Sequence, residues 1–289
     1  MPTTQTPTSL QGFFLASPDG DLWITRWQPP TPARASVLVV PAFAEEMNKC
    51  RTMQAMLGRS LAQLGIQTIA VDLFGTGDSA GEFRDARLAH WQDNLNRVAD
   101  WAAASGAPVA GLLGMRFGAA LALNLATMRQ QALRLALWQP IVSGDLLIKQ
   151  FLRLRVAGGL LAGGGSETVV SLSADLAAGT TLEVAGYELS ADLAQDLQTM
   201  ELRACTPPDG TAIAWFEVRA GDALSKVGSD SLRDWAAAGL ETQSGVLAGD
   251  TFWNTVELTS CPALVERTAE FFAAAAPRPE PDRLRADDP

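Results

Sequence analysis

Short apolar runs and longer amphipathic stretches alternate along this chain. Phe13–Ser17 and Leu22–Trp27 flank Pro18, Asp19, Gly20 and Asp21, turn formers between two β-prone runs, which predicts a β-hairpin. Ser36–Pro41 is wholly apolar after its first residue, the pattern of a strand buried on both faces. Met53, Met56, Leu57, Leu61 and Leu64 then recur at helical spacing, ended by Gly65. Ile66–Val71 reads as a second buried strand, followed by a Gly-rich loop over 72–81. A helix is predicted over 83–104, with Leu88, Trp91, Leu95, Val98 and Trp101 on one face. Val109–Leu113 is strand-like and runs through Gly114 and Gly118 into a helix over 119–128, and Leu133–Trp138 is strand-like again.

The alternation predicts an α/β protein whose mostly parallel sheet is covered by helices on both faces. It breaks between 143 and 208, where an amphipathic stretch (146–161) meets Gly163, Gly164 and Gly165. This segment is expected to be a small lid over the sheet. Strands resume at 212–218 and 242–247, with helices at 232–238 and 262–276. The expected domain spans 11–276, between polar, disordered tails at 1–10 and 277–289.

Composition narrows the function classes. The 289 residues carry 22 Lys plus Arg against 32 Asp plus Glu, a net charge of −10, so no basic footprint exists to hold nucleic acid. No apolar run is long enough for a membrane span, and the first residues show no secretory pattern. Three cysteines without metal-like spacing are expected to be reduced thiols in a cytoplasmic protein. No metal or cofactor is expected. There is one histidine, His90, so any mechanism with an imidazole base must use it.

A G-x-S-x-G motif occurs at Gly77–Gly81, around Ser79. A nucleophile elbow needs a strand directly before the serine and a helix directly after it. Here the strand ends several residues earlier, so Ser79 is expected to be a hydrogen-bonding loop residue. The strand–turn–helix context belongs instead to 109–120, and the central residue of that turn is Arg116.

These stretches, together with Pro41–Arg51, Trp91, Asp93, Gly186–Ser190 and Phe252–Thr255, resemble the α/β-hydrolase superfamily over residues 11–275. More narrowly, they resemble the second of two hydrolase-like proteins encoded with exosortase A systems, which accompany exopolysaccharide production and PEP-CTERM protein sorting. The resemblance implies the α/β-hydrolase fold and an export-system protein as a partner. It places the catalytic acid after strand 212–218, at Asp222 or Asp230, and the histidine after the last strand, where 248–255 contain none. Arg116 stands for the nucleophile, and a guanidinium stays protonated and cannot attack a carbonyl. Two of three triad members are absent.

Arg116 sits at a helix N-terminus, where a cation needs an anionic partner. Glu45 or Glu46, in the loop after Val40, or an anion on a ligand would serve. One reading is therefore a binding protein for an acidic small molecule or a partner's segment, using Arg116 and the Glu45–Lys49 loop, with Phe43, Asn48, Met115 and Tyr187 around it. The other is an enzyme acting on an ester, acyl or glycan-linked substrate of exopolysaccharide export, with Glu45, Glu46 and Asp222 as acid and base. His90 is expected to be structural, and Trp253 to be core. Cys50 lies between Lys49 and Arg51, charges that lower a thiol pKa, but no base is evident beside it.

Overall fold

The computed structural model describes residues 8–274, apart from 34, 162 and 256. Eight strands form one sheet in the order β1 (Ser9–Leu15), β2 (Leu22–Gln28), β4 (Gln67–Val71), β3 (Ser36–Val40), β5 (Val109–Met115), β6 (Arg134–Trp138), β9 (Ala212–Val218), β10 (Glu241–Leu247). β1 and β2 pair antiparallel, β2 meets β4 antiparallel, and every later pairing is parallel. The predicted hairpin and buried strands are all present. β1 starts at Ser9, inside the stretch expected to be a tail. The remainder of the two expected tails, 1–7 and 277–289, lies outside the described residues.

Both faces of the sheet are covered. Trp91 of α2 (Leu88–Ala104), Leu121 of α3 (Gly118–Arg129) and Trp235 of α7 (Lys226–Ala237) share one apolar cluster with Leu38, Leu112 and Trp215 of the strands. Met53 and Leu57 of α1 (Glu45–Gln63) and Phe272 of α8 (Pro262–Ala273) share the other with Val39, Leu113 and Phe216. Alternate strand residues thus enter opposite clusters, as the pleat requires.

Residues 143–208 leave the sheet between β6 and β9. They form α4 (Gly144–Leu161), α5 (Val169–Ala177), the hairpin β7–β8 (Leu182–Val184, Tyr187–Leu189), α6 (Ala191–Gln198) and a short 3-10 turn. No helix among the described residues is long and apolar enough to cross a membrane.

Two differences from expectation bear on the site and its surroundings. α1 begins at Glu45, so the Glu45–Lys49 segment is helical and not a loop. Two glutamates in its first turn favour the positive end of the helix. The helix predicted over 83–104 is broken at Ala86–Arg87, both extended, into a 3-10 turn and α2. The cause is distant in sequence: Asp196 of α6 accepts from the Leu88 amide (3.3 Å) and from Arg87 Nε (2.7 Å), capping α2 from outside.

Candidate functional site

The turn from β5 into α3 is an elbow. Arg116 has φ +56°, a left-handed conformation uncommon outside glycine. Its amide donates to the Trp138 carbonyl (2.9 Å), and its carbonyl accepts from the Ile141 amide (3.2 Å), which pins the turn to the chain leaving β6. Gly114 and Gly118 make the close approach possible. A Cβ at Gly114 would meet the Ala119 backbone, and one at Gly118 would run into the Pro41 carbonyl.

The arginine points into a cavity of about 300 Å3 beneath α4. Nε lies 3.0 and 3.2 Å from the two carboxylate oxygens of Glu46, Nη2 lies 3.0 Å from Oε1, and Nη1 donates to the Gln139 carbonyl at 3.0 Å. The guanidinium carbon lies 4.9 Å from the Trp253 ring centroid. Both charged side chains are largely buried, at 13% and 15% exposure. Of the two expected protein partners, Glu46 is the one bonded.

Glu45 lines the same cavity beside Phe43, Gln150, Phe151 and Arg153. Burial pushes the Glu45 carboxyl above the usual carboxylate range, and Glu46 adds a smaller upward push. Burial also raises Glu46, opposed by the Arg116 charge and hydrogen bonds and more weakly by Lys49. Lys49 is half-buried at one helical turn from both glutamates. Phe43 packs edge-on against Phe83, Trp91 and Phe151, which fixes it as the cavity wall.

Other expected residues sit elsewhere. Asn48 donates to the Tyr187 hydroxyl (3.3 Å) and accepts from Arg51 Nε (3.3 Å), so this pair ties α1 to β8 and does not line the cavity. Met115 is buried in the cluster that holds Trp138 and Phe252 because its position in β5 faces away from the site. Asp222 stands in the exposed turn before α7 and does not line the cavity. Asp230 is held on α7 by Lys226 and Arg233, each at 2.8 Å. The buried acid of this region is Glu217, near the end of β9. It accepts from Trp215 Nε1 (2.8 Å) and from the Ser225 amide (2.9 Å), fastening the start of α7.

Ser79 is a loop residue, as expected. Its hydroxyl donates to the Asp72 carbonyl (2.5 Å) and accepts from the Trp23 amide (2.8 Å), joining the Gly-rich loop to β2. Ser79→Ala should therefore cost about 1–2 kcal/mol of stability by orphaning that amide, measured by urea unfolding, with the cavity unaffected. His90 packs edge-on against Phe74 (4.9 Å) and does not line the cavity, although its buried Nδ1 has no partner among the described residues. Cys50 is buried, and desolvation drives its thiol pKa upward, the reverse of what its basic neighbours suggest.

Trp253 is the residue that sequence reasoning underestimated. It is buried, but it also lines the cavity and stacks on Arg116. It lies in the segment after the last strand, to which the resemblance assigns the histidine. The available signal was that position. Among the described residues, no group of three or more His, Cys, Asp or Glu is placed to hold a metal ion.

No protein-family model and no curated protein sequence matches this chain. Solved structures do. Est1E from Butyrivibrio proteoclasticus, in a structure with ferulic acid bound, aligns over 91% of this chain and 98% of its own, with TM-score 0.66 at 16% identity. A soluble variant of monoglyceride lipase from Saccharomyces cerevisiae aligns over 93% and 97%, with TM-score 0.60 at 13% identity. XC6422 from Xanthomonas campestris, a serine hydrolase without a lid, aligns over 96% and 100%, with TM-score 0.56 at 17% identity. Sheet order, the elbow after β5 and these neighbours agree: the chain has the α/β-hydrolase fold.

Proposed function

We propose that this protein binds a small acidic ligand in the cavity above the elbow and does not hydrolyse it. One observation carries the reading: the elbow side chain is a guanidinium, held by Glu46, the Gln139 carbonyl and Trp253. A guanidinium has five N–H donors in a fixed fork. Nε, one on Nη1 and one on Nη2 face protein acceptors, which leaves two donors uncommitted among the described residues. Arg153, on α4 at the cavity, and Lys49 add positive charge. A carboxylate or phosphate group complements such a fork in a partly dry site. That a solved structure of the similar Est1E holds ferulic acid, a carboxylic acid, is consistent with an acid-binding pocket. By the resemblance to exosortase A-associated proteins, the ligand belongs to exopolysaccharide export, with an export-system protein as partner and the cytoplasm as compartment.

The test is mass spectrometry of small molecules released from purified protein. A stoichiometric anion should accompany the wild type and be lost from Arg116→Met. Equal recovery from both would remove Arg116 from the binding site.

A second reading, turnover of an ester, acyl or glycan-linked substrate by carboxylates, is favoured by one observation. Glu45 and Glu46 line one cavity, and of the two only Glu46 is paired with Arg116. An acid–base pair needs carboxyls whose pKa values are split by environment. On this reading Glu45→Gln and Glu46→Gln each abolish turnover of a natural substrate, and full rate in both excludes it. The exposed position of Asp222 takes it out of either scheme as a group touching the ligand.

A further inference from the structure

The sheet ends on β1, whose outer edge has no neighbouring strand among the described residues. Edge strands expose unpaired N–H and C=O groups, and proteins commonly guard them with a charge, a proline, a bulge or a very short strand. β1 has none of these. Its seven residues, Ser9–Leu15, include no charge and no proline, and they pair with β2 in unbroken register from Ser9–Gln28 to Leu15–Leu22. The strand at the other end of the sheet, β10, opens with Glu241 and continues with polar Thr242, Gln243 and Ser244.

One face of β1 is bare as well. Phe13 and Leu15 turn toward the core, with the Phe13 ring 5.2 Å from that of Trp101. Leu10, Gly12 and Phe14 take the other face, as alternation requires, and Leu10 and Phe14 remain 63% and 57% exposed. Trp23 of β2 lies across this face: its ring fills the space that a Cβ at Gly12 would need and stands 5.1 Å from the Phe14 ring. The next tryptophan of the same face, Trp27, is covered by α1 at Gly58. Arg26 is held on the opposite face, by Gln11 and over the Phe13 and Trp101 rings.

We infer that β1 pairs antiparallel with β1 of a second copy of this chain, about a two-fold axis at Gly12. The strand complements itself in that register. Residue 10 of one copy falls opposite residue 14 of the other, so the two exposed apolar side chains meet twice, while Gln11 faces Phe13 and Ser9 faces Leu15. An axis at Gln11 or at Phe13 would carry Phe14 or Leu10 past the end of the partner's strand. Gly12 on the axis brings no side chain there. Only uncharged residues meet, so two chains with a net charge of −10 each set no like charges opposite one another across the pair. A closed two-fold pair is also the commonest form of self-association. The contact is separate from the Arg116 cavity, since no residue lining that cavity belongs to β1 or β2.

Sedimentation velocity of the full chain at ~100 μM should give twice the monomer mass. Leu10→Lys combined with Phe14→Lys sets like charges opposite one another at both pairs and should weaken the dimer at least about a hundredfold. Both positions are exposed, and a cooperative unfolding transition checks that this variant is folded. Disulfide formation reads the register. An oxidised mixture of Leu10→Cys and Phe14→Cys should yield a covalent dimer, because opposed residues lie within about 5.5 Å. Either variant alone should not, since its two thiols stand four residues apart along the strands, about 14 Å. The native cysteines are buried and do not compete. A wild type that is monomeric at that concentration overturns the inference and leaves the edge to solvent or to a strand of a different protein. A lysine variant that stays dimeric overturns it by placing the contact elsewhere. So does a mixture that yields no more covalent dimer than its components.

Discussion

Arg116→Met should destabilise the fold by about 3 kcal/mol at neutral pH, and adding Glu46→Met should recover most of that loss. Each side chain of the pair is largely buried, so removing one partner strands the other charge in a poorly hydrated place. Replacing both with apolar groups of similar volume removes the desolvation penalty along with the attraction. Methionine also keeps the left-handed backbone at 116 under the same strain as arginine, which a glycine would relieve. The measurement is a double-mutant cycle by urea unfolding. Additive losses would mean that the two residues do not act as a pair.

The pH dependence of this cycle has a definite sign. Glu46 is raised in the fold, chiefly by burial, and Arg116 is the largest influence holding it down. A raised carboxyl contributes stability that is present below its unfolded pKa, ordinarily near ~4.3, and is lost as pH climbs through the folded value. Without Arg116 the folded value moves further up. The penalty of Arg116→Met should therefore be smallest in mild acid and grow toward neutrality, and a penalty that shrinks with rising pH would contradict the assignment.

Trp253→Ala should cost about 3–5 kcal/mol, the range for deleting a buried tryptophan. Trp253 is 4% exposed and packs on both Phe252 (5.0 Å) and the Arg116 guanidinium. Its loss opens a void and wets the ion pair, so anion affinity should fall together with stability. Trp253→Phe, which keeps an aromatic face over the arginine, should lose less than half as much. Chemical unfolding reads the first effect and ligand titration the second. Equal losses in the two variants would show that stacking on Arg116 contributes nothing.

Much of the fold was legible in the sequence because buried parallel strands leave uninterrupted apolar runs. Ser36–Val40, Val109–Met115 and Ala212–Val218 were all visible that way. The break before α2 was not, because Arg87 is turned out of the helix by Asp196, more than a hundred residues later. The elbow was readable from Gly114, Gly118 and the small residues of α3, and so was the absence of a nucleophile there. Charge balance at a helix N-terminus required a partner for Arg116 and narrowed the protein choices to Glu45 and Glu46. Local sequence could not decide between them, since both residues of the first turn of α1 line the cavity and the answer depends on which of the two meets the guanidinium. Trp253 was misjudged for a related reason: a tryptophan in a loop gives no periodic signal of direction. Met115 failed the other way, since alternation along β5 alone sends 115 to the far face.

The central claim is the proposal that the elbow after β5, which holds a paired cation, is no site of covalent catalysis, and that the protein works without an activated serine. Intact-mass analysis after incubation with a fluorophosphonate tests it most directly, because such reagents modify only hydroxyls made nucleophilic by an adjacent base. The expected result is an unchanged mass. A stoichiometric adduct on Ser79, or on any other serine, would contradict the account.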